Sequence, residues 1–183
     1  SFAFHSTAPR LAPRFATDLL KTALDKDAMK MLKRPPVDFV VPAGFALVPP
    51  KKDGPVIELV AEDAQFNSVR ITLTAMSLRN LAGTKQPAKH DRVKTWKESW
   101  LKAVETKPGD VPNKARSMKL GNVKAHGMVL KGTLDGFPVT QTVLFEVKDG
   151  WILDLTILTF GKGDRVFVSG TRTFLKKFHL RGK

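Results

Sequence analysis

Apolar and polar residues alternate most regularly in the second half of the chain. Three long runs, Val123 to Leu134, Phe137 to Lys148 and Trp151 to Phe160, are separated by Asp135-Gly136 and Asp149-Gly150. Asp-Gly supplies the positive φ angles of a tight hairpin turn, so this spacing predicts a three-stranded antiparallel meander. Val139, Val143, Phe145 and Val147 share one parity along the second run, and Trp151, Leu153, Leu155 and Ile157 share one along the third. Side chains alternate across a strand, so one face of the meander is apolar. On the other parity, Asp154 is expected on the solvated face.

Shorter strand signals precede the meander: Val37 to Val41, Phe45 to Val48, Val56 to Ala61 and Val69 to Ala75, with Pro, Gly and Asn clusters between them. Val69, Ile71, Leu73 and Ala75 alternate with Arg70, Thr72 and Thr74, which again predicts a half-buried antiparallel strand. The polar stretch Leu81 to His90 reads as a loop. Val93, Trp96, Trp100, Leu101 and Val104 then recur at helical spacing, with Asp91 as the expected N-cap and Lys107-Pro108-Gly109 as the stop. Pro108 to Lys119 is expected to be a basic connection. After the meander, Gly161-Lys162-Gly163 breaks the sheet and Asp164 is placed to cap a last helix whose inner face would carry Val166, Phe167, Phe174 and Phe178.

The N-terminal fifth of the pattern differs. Thr17-Asp18 reads as a helix start, Leu20, Ala23, Leu24, Met31 and Leu32 share one face, and Arg34-Pro35-Pro36 ends the element. Residues 1–36 are therefore expected to form an N-terminal arm and docking helix, and residues 37–183 the domain proper. The fold class that follows is α+β, an antiparallel sheet flanked by helices, with an N-terminal helical extension.

From Val37 to Leu180 this order of elements resembles the Mog/PsbP superfamily, whose members include the PsbP subunit of the oxygen-evolving complex and the Ran-binding Mog proteins. The residues that carry the resemblance are Val40-Val41-Pro42-Ala43-Gly44-Phe45, the strand Val69-Arg70-Ile71-Thr72-Leu73, the central helix, Val147-Lys148-Asp149-Gly150-Trp151-Ile152-Leu153, and the final helix ending at Phe174 to Leu180. The resemblance implies an α/β/α sandwich and a non-catalytic accessory subunit of a larger assembly. Two departures stand out: Lys177-Phe178 occupies the place of the usual Ser-Phe pair, and the central helix is unusually basic. No metal-binding or Ran-binding residue set carries over by position.

Charge adds what the pattern cannot. The 183 residues hold 31 Lys and Arg against 17 Asp and Glu, a formal net charge of +14, which implies an anionic partner or surface. The 42% hydrophobic content suffices for a core of ordinary size. Zero cysteines exclude disulfides, thiolate zinc sites and a cysteine nucleophile. No apolar run approaches the roughly 20 residues that cross a bilayer. The first fifteen residues are rich in Ser, Ala and Arg without an acid, the composition of the end of a mitochondrial presequence, and a matrix location is the expectation; a basic tail is the alternative reading.

Candidate chemistry is sparse. His5, His90, His126 and His179 lack metal-pair spacing, Asp149 is a turn residue, and Gly161-x-Gly163 lacks the third glycine and the βαβ setting of a dinucleotide site. Nothing matches a Walker, nucleophile-elbow or kinase motif, so no catalytic residue, cofactor or metal is expected. Trp96 and Trp100 interleave with Lys94, Lys97 and Lys102 as in single-strand binders, yet both share the face of Val93 and Val104 and are expected in the core. What remains is basic material suited to phosphates: Lys51, Lys52, Lys85, Lys89, Arg92, Lys94, Lys97, Lys114, Arg116, Lys119, Lys176, Lys177, Arg181 and Lys183. The expectation is a structural subunit of the mitochondrial ribosome that contacts rRNA and neighbouring ribosomal proteins. The alternative is an accessory subunit of an inner-membrane energy complex, ATP synthase or a respiratory complex, its charges meeting acidic subunits or anionic lipid.

Overall fold

The computed structural model describes residues 37–49, 55–78 and 89–181. All of them belong to one of two compact units of the chain, Arg34–Lys183. The expected N-terminal helix, and Lys51, Lys52, Lys85 and Lys183 among the expected contact residues, lie outside the described residues.

Seven strands form one antiparallel sheet: β2 (Ala46–Leu47), β3 (Ile57–Glu62), β4 (Ser68–Ser77), β5 (Arg116–Leu120), β6 (Val123–Leu134), β7 (Phe137–Lys148) and β8 (Trp151–Phe160), in the order β2-β3-β4-β8-β7-β6-β5. The strand bounds and turns of the meander β6–β7–β8 are as the alternation predicts, but its two apolar sets do not share a face. Val143 and Phe145 pair with Thr156 and Asp154 on one face, while Leu155 pairs with Leu144 on the other, so both faces of the meander are apolar. Its two turns have Asp135 at φ 50° and Gly136 at 80°, and Asp149 at 51° and Gly150 at 81°, the paired positive angles that Asp-Gly hairpins use. β4 does not pair with its neighbour in sequence beyond β3 but inserts against β8, with Ile71 opposite Ile157 and Leu73 opposite Leu155.

That pairing gives the sheet two different faces. On one, Leu59, Ile71, Leu73, Leu155 and Ile157 are almost fully buried. The C-terminal segment supplies their cover: α2 (Gly163–Val166), α3 (Val168–Lys177) and the short strand β9 (His179–Leu180), which pairs with β1 (Val37–Asp38) in a separate two-stranded ribbon. Phe174 and Phe178 are fully buried, and their rings lie 6.2 Å apart. The other face carries Met128, Leu130, Val139 and Val143, covered by Val93, Trp96, Trp100 and Val104 of α1 (Lys89–Ala103). Trp100 is buried with its indole N–H donating to the Lys131 carbonyl at 2.8 Å, so the ring is both core and polar anchor. Helices on both faces of an antiparallel sheet make the α/β/α sandwich.

Several expectations are corrected. Leu101 is 53% exposed, because the buried stripe runs Val93, Trp96, Trp100, Val104 and Leu101 lies one residue, about 100°, off it. α1 begins at Lys89, so Asp91 stands in its first turn rather than at its N-cap. The last helix is split at Phe167; Asp164 sits in the first turn of α2 without capping it, and Val166 is 49% exposed. Phe178 is buried, yet beyond the helix end, in extended backbone. The expected connection Pro108 to Lys119 contains a strand, since Gly121-Asn122 is a two-residue hairpin turn joining β5 to β6.

Candidate functional site

The described cations divide unevenly between the two ends of the sheet. One end is formed by the β5–β6 turn, the β7–β8 turn and the C-terminus of α3, which are linked by specific bonds. Gly121 N–H donates to the Leu175 carbonyl at 2.6 Å. The Asn122 side chain donates to the Leu180 carbonyl at 2.8 Å and accepts from the Leu180 N–H at 2.9 Å. Lys148 Nζ donates to the Asn122 carbonyl at 3.2 Å, tying β7 to the same turn.

Within the segments that meet there, 114–124, 146–150 and 175–181, stand eight Lys or Arg and two carboxylates, Glu146 and Asp149. Of the eight, Arg181 pairs with Asp38 at 3.4 Å. Lys119 and Lys124 lie directly opposite each other across β5 and β6, both exposed. Facing side chains in an antiparallel pair start roughly 5 Å apart, and like charges so placed repel. An anion between them removes that repulsion.

Beside this pair is an open cleft of about 550 Å³ lined by Ser117, Asn122, Lys124, His126, Glu146, Val147 and Lys148. His126 Nδ1 lies 3.4 Å from Glu146 Oε2, and Glu146 Oε1 accepts the Val147 N–H at 3.0 Å. Ser117 is the cross-strand neighbour of His126. Hydroxyl, amide, imidazole and ammonium donors around an open floor suit a phosphate or another oxyanion. Among the described residues no group of three His, Asp or Glu side chains gathers to hold a metal ion, and no helix is long and apolar enough to cross a membrane.

The expected contact residues fall into three groups. Lys114, Arg116 and Lys119 run along edge strand β5 and its approach, and Lys176 and Lys177 end α3 next to Leu175; this is the set the fold brings together. Lys89, Lys94 and Lys97 stand on α1, where Lys94 pairs with Glu98 at 3.8 Å. Arg92 is committed to the fold: its guanidinium lies 5.3 Å from the Phe145 ring centroid and 3.4 Å from Asp154. Lys124, Lys148 and the cleft were not foreseen. The signal for Lys124 was present, because a hairpin at Gly121-Asn122 places it across from Lys119.

Asp154 also departs from expectation. It lies on the face that α1 covers, with its side chain 19% exposed. Burial raises its pKa, and the Arg92 charge opposes that rise only in part. The folded state therefore binds this proton more tightly than the unfolded chain. Between the ordinary value of 3.8 and the raised one, the contribution of Asp154 to stability falls as pH increases, and it is constant outside that window. Comparing thermal unfolding of Asp154→Asn with the parent from pH 3 to 7 checks this: the difference should shift in favour of the variant as pH rises through the window, and a pH-independent difference would refute it.

The chain is similar to LpqN, a protein involved in cell envelope biogenesis of Mycobacterium tuberculosis, with a TM-score of 0.50 and 17% identity over 79% of this chain and 82% of that one. The two share a Mog1p/PsbP-like fold. At that identity the likeness is one of fold alone. A protein from Bacteroides thetaiotaomicron VPI-5482 matches with a TM-score of 0.49 and 11% identity over 80% of this chain and 46% of its own. No known family and no curated protein matches the sequence.

Proposed function

We propose that the chain is a non-catalytic structural subunit of a large mitochondrial assembly, the mitochondrial ribosome, and that it holds rRNA phosphates with the cationic end of its sheet. The observation that carries this reading is the segregation of charge: eight cations to two carboxylates in the segments that meet at one end, including a facing lysine pair with no acid between its members. Phosphate contacts release condensed counterions, position a protein without reading bases, and need separated Lys and Arg on a rigid frame. The sheet is that frame. β5 is an edge strand held by β6 and by the α3 terminus, so Lys114, Arg116, Lys119 and Lys124 are presented at fixed spacing.

Sedimentation of mitochondrial extracts tests the assembly. The protein is expected to migrate with rRNA and to leave that fraction after nuclease treatment. Migration with detergent-stable inner-membrane complexes, indifferent to nuclease, would sink the ribosomal reading.

A further inference from the structure

The opposite end of the sheet has the reverse character. The segments 62–67, 134–138 and 160–166 close that end, because Ser68, Phe160 and Val139 lie side by side across β4, β8 and β7, and Leu134 faces Phe137 across the β6–β7 turn. Four of the large apolar side chains exposed in the described structure are here: Phe66 at 79%, Phe137 at 66%, Val166 at 49% and Leu134 at 38%. Phe66 and Phe137 start from backbone roughly 10 Å apart, two strand spacings. An apolar cluster on a protein end is unusual enough to mark a contact surface.

The β3–β4 turn is built to present Phe66. Its φ is 61°, a left-handed conformation that bulky residues rarely adopt. Asp63 holds it there, accepting the N–H groups of Gln65 and Asn67 at 2.9 Å each and the Asn67 amide at 2.8 Å. Asn67 Oδ1 accepts the Lys162 N–H at 2.7 Å, which joins this turn to the end of β8. A strained turn, locked by a carboxylate and braced on its neighbour, keeps an apolar ring in water.

We propose that this end is a second docking surface, for a protein partner that offers an apolar pocket rimmed by Lys or Arg. The pocket follows from the protruding rings, which act as anchors only when a concave apolar site desolvates them. The rim follows from charge. Glu62, Asp63, Asp135 and Asp164 stand against Lys162 and Arg165 in these segments, so this end is net acidic in a chain of net charge +14. That balance disfavours an anionic lipid surface and favours a basic protein. The inference stands apart from the identity of the polyanion at the other end.

A photo-crosslinking benzophenone amino acid placed at position 66 or 137 of the full chain, expressed in its own cells, tests it, with position 101 on α1 as an exposed apolar control. Both positions should crosslink one and the same protein, at peptides mapping to an apolar pocket flanked by Lys or Arg, and position 101 should not. Reversing charge with Asp135→Lys and Asp164→Lys should lower the yield about five- to tenfold. Crosslinks only to lipid, to RNA or to a second copy, or a yield no higher than at position 101, would overturn the proposal. RNA affinity and its salt dependence should be unchanged in the Asp135→Lys, Asp164→Lys chain, which keeps this result separate from that of the cationic end.

Discussion

Replacing Lys119, Lys124 and Lys148 together by Gln is expected to weaken binding to structured RNA by about a hundredfold at ~0.1 M salt, and to reduce the slope of log K against log salt by roughly 2 to 3. The magnitude follows from counterion release: each phosphate contact contributes about 0.7 to 0.9 to that slope. The same variant should be close to the parent in stability, because relief of one repulsion offsets the loss of the exposed Lys148 bond to the Asn122 carbonyl. Lys119 and Lys124 face each other with like charge, so removing both relieves repulsion that the folded state otherwise bears. Filter binding across a salt series, with a chemical-denaturation curve beside it, reads both quantities. Lower affinity with unchanged slope would mean that the lysines do not meet phosphates, and loss of stability would mean that they hold the fold instead.

Gly121→Ala is expected to be among the most damaging single changes in the chain. A Cβ there would collide with the oxygen and carbon of the Phe178 carbonyl, and the residue has φ 56°. Both neighbours are backbone, so no side chain can turn aside. The chain must pull the β5–β6 turn away from the α3 terminus, which breaks the Gly121–Leu175 hydrogen bond and disturbs the two bonds from Asn122 to Leu180. A left-handed alanine costs about 1 to 2 kcal/mol by itself, and the displacement of packed backbone brings the total to roughly 4 kcal/mol or more. Gly136→Ala and Gly150→Ala are the natural controls. They share the positive φ but have nothing within 4 Å of the added carbon, so each should cost only about 1 to 2 kcal/mol. Midpoints of urea unfolding for the three variants check the ranking, and equal shifts would refute the close approach at Gly121. Because Gly121 sits in the cationic end, residual folded protein should also bind RNA less well.

The parts of the fold that were legible are those with a local cause. β6, β7 and β8 have the bounds that alternation and the Asp-Gly pairs predict, since each strand has ten residues or more in which period and turn agree. The buried stripe of α1 was readable apart from Leu101, whose neighbour Trp100 takes the inward position. β9 and its pairing were not: the strand signal at Val37 to Val41 is realised only as Val37–Asp38, a two-residue β9 has no period, and the pairing of Val37 with Leu180 joins positions at opposite ends of the domain. β5 was obscured by its basic, Pro-containing approach, although Gly121-Asn122 marks the hairpin. Of the candidate site, the sequence shows Lys114, Lys119, Lys176 and Lys177 as basic, without indicating that Gly121 and Asn122 clamp the C-terminal segment and so bring these residues to one end.

By itself the sequence determined the fold class, the meander, the helical face around Trp100 and the excess of positive charge, because each rests on residue type, on periods of 2.0 and 3.6, or on a simple count. Only the tertiary structure decided where the charge goes. Cross-strand register set Lys119 against Lys124, brought the turns that carry Phe66 and Phe137 to one end of the sheet, and buried Asp154 beneath Arg92, for contacts between distant segments depend on pairing order and register, which no local pattern encodes.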